Sequence, residues 1–173
     1  PKSFTDRSHS TKIKDLKMGD EVLLSGEILV GRDQAHKRLC DLIDRGEDLP
    51  VDLKGEVIYY MGPAPTPEGE VIGSCGPTTS SRMDAFAPIL LDLGLKGMIG
   101  KGPRYGDVTE SIVKNSAVYF YSFGGCGALY AQKIVKNSVA AFEDLGPEAI
   151  YRLEVKDFPV IVAIDCKGNN IYS

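Results

Sequence analysis

The stretch GPTTSSRMD, residues 76 to 84, sets four consecutive hydroxyl side chains, Thr78 to Ser81, between a Gly-Pro turn and a single guanidinium, Arg82. Gly73 and Gly76 let a backbone turn tightly and approach a ligand, and the apolar spacing that follows predicts a helix whose first amides lack partners. A helix start of this kind favours an anion, because its free N–H groups and its dipole both present positive charge. Arg82 stands four residues beyond Thr78, on the same helical face, so a guanidinium fork and a hydroxyl can converge on one carboxylate. The bland alternative is that the hydroxyls merely cap the helix while Arg82 pairs with a surface acid.

Two further stretches carry cations at a strand-to-helix junction. In GRDQAHKR, residues 31 to 38, Arg32, His36, Lys37 and Arg38 crowd a helix start, where the dipole disfavours positive charge. Arg32, at the junction itself, is the best candidate for an anion; Lys37 and Arg38 read as a solvated face. In GKGPRYGD, residues 100 to 107, a glycine-bracketed turn carries Lys101 and Arg104, and a lysine there can reach a ligand as a mobile point charge. A fourth stretch, FGGCGAL, lacks the GxGxxG spacing of a dinucleotide loop, and Cys126 has no identifiable base beside it.

Alternating elements must position these groups. The run DEVLLSGEILV predicts a strand bent at Ser25-Gly26, and DQAHKRLCDLID a helix starting near Asp33 and stopping at Gly46. GEVIYYMG reads as a strand, PAPTPEG as an exposed loop, EVIGSCG as another strand, and TTSSRMDAFAPILLDLG as a helix that Pro88 can kink, capped by Thr78 or Thr79. KGMIGKG is a short buried strand, DVTESIVKN a short helix, SAVYFYSFGG a strand, and CGALYAQKIV a helix. The tail AIYRLEVKDFPVIVAIDCKGNNIYS predicts two or three strands with KGNN as a hairpin turn. The alternation implies an α/β fold, with residues 1–173 as a single domain behind a short N-terminal extension of about 20 residues.

Composition narrows the function. The chain has 173 residues, 43% of them hydrophobic, and a net charge of -4 without a basic cluster, which argues against a nucleic-acid or anionic membrane surface. The apolar runs are too short for a membrane helix and the first residues lack a signal peptide's apolar centre, so a cytoplasmic location is expected. Cys40, Cys75, Cys126 and Cys166 are dispersed without a CxxC pair and only His9 and His36 accompany them, a poor metal inventory that fits reduced thiols. P-loop, HExxH and nucleophile-elbow patterns are missing, as though the chain lacks part of its own machinery.

Taken in order and spacing, GRDQAHKR, GPTTSSRMD, GLKGMIGKG and FGGCGALYA resemble the β subunit, or fused C-terminal domain, of class I fumarate hydratases and L-tartrate dehydratases. The resemblance runs from about Leu23 to Ile164. It implies a swivelling β/β/α domain, a mixed sheet or barrel-like set of strands with flanking helices. It also implies reversible hydration of a dicarboxylate at a [4Fe-4S] cluster ligated by a partner α subunit and not by this chain. By motif, Thr78 resembles the family's catalytic base, and Arg32, Arg82 and Lys101 resemble the residues that bind substrate carboxylates. Ser81 stands where relatives often carry glycine, which leaves the Thr78-to-Arg82 spacing intact. Fumarate and tartrate branches share these motifs, and a non-catalytic dicarboxylate-binding or assembly module is the alternative outside the enzymes.

Overall fold

The computed structural model describes residues 2–5, 13–61, 76–122 and 132–173. Strand β1 (Lys2–Thr5) runs parallel to β2 (Glu21–Val30), which leads into helix α1 (Asp33–Asp44). Strand β3 (Val57–Tyr59), a 3-10 turn (Ser80–Met83), helix α2 (Ala87–Asp92), strand β4 (Gly97–Gly100), helix α3 (Val108–Lys114) and strand β5 (Val118–Tyr121) follow. The chain finishes with β6 (Ile134–Ala141), a 3-10 segment (Glu143–Glu148) and the 15-residue strand β7 (Ile150–Ile164).

Strands β2, β3, β4 and β5 lie parallel, with Leu29 beside Ile58, Ile58 beside Met98 and Met98 beside Tyr119. β7 runs antiparallel to both ends of this set, pairing Val162 with Phe120 of β5 and Val160 with Val22 of β2. Those two pairings close five strands into a barrel-like sheet, with β1 and β6 as outlying edges.

The period-2 alternation of the strands decides which core each residue joins. Val57, Tyr59, Ile99, Val118, Phe120, Val160 and Val162 form one buried cluster across the barrel strands. Their neighbours Ile58, Met98, Tyr119 and Ala163 join the second cluster, with Ala35 and Leu39 of α1, Leu90 and Leu91 of α2, and Ile112 of α3. The mixed α/β, barrel-like class expected from the sequence is what the chain adopts.

The bend expected at Ser25-Gly26 is present. Gly26 has φ of +113°, and the pairing with β7 slips between Leu24 and Gly26. Before the slip burial alternates; beyond it Ile28, Leu29 and Val30 are all buried, as suits a parallel strand covered on both faces. α1 ends as expected at Gly46, whose φ of +69° lets its amide turn back to the Ile43 carbonyl.

Three expectations are corrected. The helix read across 78 to 94 is two pieces, because Pro88 sits in the opening turn of α2, where its missing amide costs nothing, and the Ser80 amide is drawn away to the Lys101 carbonyl. The tail's two or three strands are one: β7 runs on through Asp157, at φ +52°, and Pro159, with its pairing to β2 shifting at Asp157, whose amide donates to the Ser25 hydroxyl at 3.0 Å. Ile134 and Val135, read as the end of a helix, open β6. The expected loop at PAPTPEG, the strand at EVIGSCG up to Cys75 and the FGGCGALYA stretch lie outside the described residues. Among the described residues no helix is long and apolar enough to cross a membrane.

Candidate functional site

Four parallel strands bring their carboxyl ends to one edge of the barrel, the edge where α/β folds collect ligands. Arg32 follows β2 there, Tyr60 and Met61 follow β3, Lys101 follows β4 and Ser122 follows β5. The hydroxyl-rich segment returns to the same edge. Pro77 bridges Met61, the Thr78 amide donates to the Tyr60 carbonyl at 2.8 Å, Thr79 bridges Lys101, and the Ser80 amide donates to the Lys101 carbonyl at 3.0 Å. Thr78 is therefore held between the extensions of β3 and β4. Arg82 makes a short ion pair with Asp33, the residue next to Arg32. Backbone pairing and this one ion pair thus gather Arg32, Thr78, Arg82 and Lys101 at a single edge.

The source of positive potential differs from the sequence expectation. The amides of Thr78 and Ser80 are occupied by carbonyls, and the turn that follows is a four-residue 3-10 helix with Thr79 at its cap position and no side-chain cap bond. The hydroxyl-bearing segment therefore offers no free helix start of its own; the longer helix that begins at this edge is α1, with Arg32 at its cap position. Arg32 is half-buried, and its Nε is buried without a hydrogen-bond partner among the described residues. The Arg82 side chain is 59% exposed, with one terminal nitrogen on Asp33. Lys101 is half-buried.

The cation crowd at the start of α1 is smaller than the sequence suggests. His36 is wholly buried, and burial pushes its imidazole down to about 4; the hydrogen bond to the Arg32 carbonyl and the Asp33 charge oppose this, while the Arg104 charge adds to it. The ring is neutral at pH 7, with Nδ1–H donating to the Arg32 carbonyl at 2.8 Å and the ring edge packed on Tyr60 at 5.4 Å between centroids. Arg38 turns away to a two-pronged pair with Asp144, both contacts 2.9 Å, over the Phe142 ring. Lys37 is exposed, as its solvated-face reading expects.

Sequence reasoning missed the groups behind the edge. Tyr60, Tyr119, Met98 and Asp84 surround the buried guanidinium of Arg104, which shares the glycine-bracketed turn of Lys101. A tyrosine in a strand reads as core, and no local spacing links residues up to 44 positions apart. An open cleft of about 490 Å³ beside the turn is lined by Ser81, Asp84, Ala85, Pro88, Tyr105, Gly106 and Asp107. Its two acids and lack of a basic lining residue suit it poorly to a dicarboxylate.

For a metal cluster the described residues fit poorly. No group of three or more His, Cys, Asp or Glu that could hold a metal occurs among them. Cys40 is buried in α1, its thiol pushed up to about 11 by burial and then by Asp44 and Asp41, whereas a ligating cysteine must be a thiolate. Cys166 is half-buried after β7 and packs against the barrel cluster.

The fold and this edge define an α/β barrel-like domain that concentrates arginine, lysine and hydroxyl groups at the ends of its parallel strands. The chain belongs to the Fumarase C-terminus family, whose profile matches residues 3–173. It is 40% identical over 164 residues to fumarate hydratase 2 of Leishmania major, covering 94% of this chain and 29% of the relative. It is 44% identical over 151 residues to the anaerobic class I fumarate hydratase of Escherichia coli K12, covering 86% of this chain and 28% of that enzyme. A protein named putative L(+)-tartrate dehydratase subunit beta from Methanocaldococcus jannaschii is 37% identical over 166 residues, covering 92% of this chain and 85% of the relative. The chain thus spans under a third of the fumarate hydratases it matches and most of the tartrate dehydratase subunit.

Proposed function

We propose that this chain is the β subunit of a class I fumarate hydratase, which interconverts fumarate and L-malate with a cluster-bearing α subunit. The observation that carries the reading is the convergence of Thr78, Arg32, Arg82 and Lys101 on one strand edge in a chain of this family. The match to 85% of a relative named as a β subunit supports the two-subunit arrangement. The [4Fe-4S] cluster, with its Lewis-acid assistance to the departing or arriving hydroxyl, belongs to the α subunit in this reading. The described residues here offer it no ligand set.

This chain's own part is binding and proton transfer. Arg82 and Arg32 hold the substrate carboxylates, Arg82 exchanging its contact with Asp33 for the incoming group, and Lys101 adds a mobile charge. Thr78 takes the proton from the carbon beside a carboxylate. An alkoxide is a strong base and a hydroxyl a weak one, so Thr78 needs cationic neighbours and little water to act. The same cations stabilise the charge that grows on the carboxylate as the proton leaves, an effect worth about 3 kcal/mol for a well-placed donor.

L-tartrate dehydration is the second reading, favoured by the length-matched relative. Anaerobic rates for fumarate formed from malate and oxaloacetate formed from tartrate, with the chain alone and with its α subunit, test both. Malate turnover that needs the partner supports the first reading, and preference for tartrate replaces it with the second. Silence on both substrates from an intact, cluster-loaded complex overturns the enzymatic reading in favour of a binding module.

A further inference from the structure

Arg104 shares a glycine-bracketed turn with Lys101, yet its side chain is fully buried while Lys101 is only partly so. Its Nε donates to Asp84 Oδ1 at 2.6 Å, one terminal nitrogen donates to the Tyr60 hydroxyl at 3.2 Å, and the other lies 3.5 Å from the Met98 sulfur. The guanidinium carbon sits 5.3 Å from the centre of the Tyr60 ring and 4.7 Å from that of Tyr119. Burial pulls against its charge, but Tyr60, Asp84 and Tyr119 together outweigh that and keep it cationic.

Each partner of Arg104 holds a piece of the strand edge. Tyr60 supplies the carbonyl that takes the Thr78 amide. Asp84 ends the turn that carries Arg82, and its second oxygen accepts the Tyr105 amide at 2.8 Å. The Tyr119 hydroxyl donates to the Gly102 carbonyl at 2.8 Å and accepts from the Ser80 hydroxyl at 2.6 Å, tying together the residues that follow Thr79 and Lys101. Ser80 itself lies flat against the end of β4, where a Cβ on Gly100 would fall 1.9 Å from its Oγ.

We infer that Arg104 is a positioning residue: one buried cation that locks the Thr78, Arg82 and Lys101 segments in register without touching substrate. The inference rests on the proposed function and deepens it. A buried ion pair is a poor way to gain stability, since apolar residues of similar volume often do as well. What the guanidinium provides, and a lysine or methionine does not, is several donors in a fixed plane joining Asp84 to Tyr60.

The test uses the chain assembled with its cluster-bearing subunit, comparing wild type with Arg104→Lys and Arg104→Met. Misplacing a reacting group by about 1 Å costs about 10²-fold, so kcat is expected to fall by about that factor in both variants, well beyond any rise in KM. Amide exchange at Ser80 and Tyr105 is expected to quicken while barrel amides such as Val22 and Val162 stay protected. A purely structural role predicts instead a lower melting temperature with uniformly faster exchange and wild-type kcat in the folded fraction, and that result overturns the inference. Wild-type kinetics with unchanged exchange in Arg104→Lys overturns it too. An intact wild-type complex inactive on malate and tartrate would remove the functional reading beneath it, a failure separate from that of Arg104 in an active enzyme.

Discussion

Acid should unfold this protein in a window set by one buried ring. His36 has no exposed surface, and its imidazole is pushed from 6.5 down to about 4 by burial, with the Arg104 charge acting in the same direction. The unfolded chain therefore binds a proton between pH 6.5 and 4 that the folded chain refuses. Stability contributed by the neutral ring is complete above pH 6.5 and drains away as pH falls toward 4. That gap corresponds to about 3 kcal/mol, an upper figure because any opening of the site lets the ring protonate at lower cost. Three carboxylates whose pKa is lowered, Asp20 through its Lys2 contact, Asp92 through the Asn115 side-chain amide and Asp165 through amides that overcome its burial, act below about 4 and so fall outside the window.

His36→Asn provides the control. Asparagine can keep a donor near the Nδ1 position for the Arg32 carbonyl but does not titrate. Urea unfolding followed by circular dichroism at pH 7.5, 6.5, 5.5 and 4.5 should show the wild type losing stability steadily and the variant nearly level. His9 is common to both proteins and cancels. Parallel curves for the two proteins, or a His36 ring titrating near 6.5 by NMR, would refute the reasoning.

Gly100→Ala should destabilise the chain by about 1–3 kcal/mol and depress activity, because its Cβ would meet Ser80 Oγ at 1.9 Å, whereas Gly97→Ala, at 3.1 Å from Val57, should be milder in the same denaturant titration. Arg32→Ala and Arg82→Ala should each raise KM about tenfold or more, and Arg82→Lys should fail to restore it, since a single ammonium cannot replace a fork; steady-state rates on malate check all three. Cys40 should resist iodoacetamide at pH 8 in the native protein, its thiol held up at about 11, and react freely in urea, as peptide mass spectrometry would report.

What the sequence could show depended on how local the cause was. The β2 bend and the end of α1 were readable because Gly26 and Gly46 each supply a positive φ where a pattern breaks. The turn after Thr79 was misread because Met83, Phe86 and Leu90 keep helical spacing while a carbonyl from Lys101, 21 residues onward, takes the Ser80 amide. The tail reads as two or three strands from composition alone, and only its long-range pairing with β2 and β6 shows Ile150–Ile164 to be one strand. At the site, four motifs in order pointed to Arg32, Thr78, Arg82 and Lys101. Asp33 as the partner of Arg82 and Arg104 as a buried anchor arise from contacts across 49 and 20 residues, which spacing does not encode.

The measurement that bears most directly on the proposed site is the turnover of Thr78→Ala beside wild type, in the anaerobic complex with the cluster-bearing subunit. Removing a base that acts only as the proton leaves should lower kcat by about 10²-fold or more while KM stays within a few-fold, because the carboxylates remain bound by Arg32, Arg82 and Lys101. A near-normal kcat would contradict the assignment of Thr78.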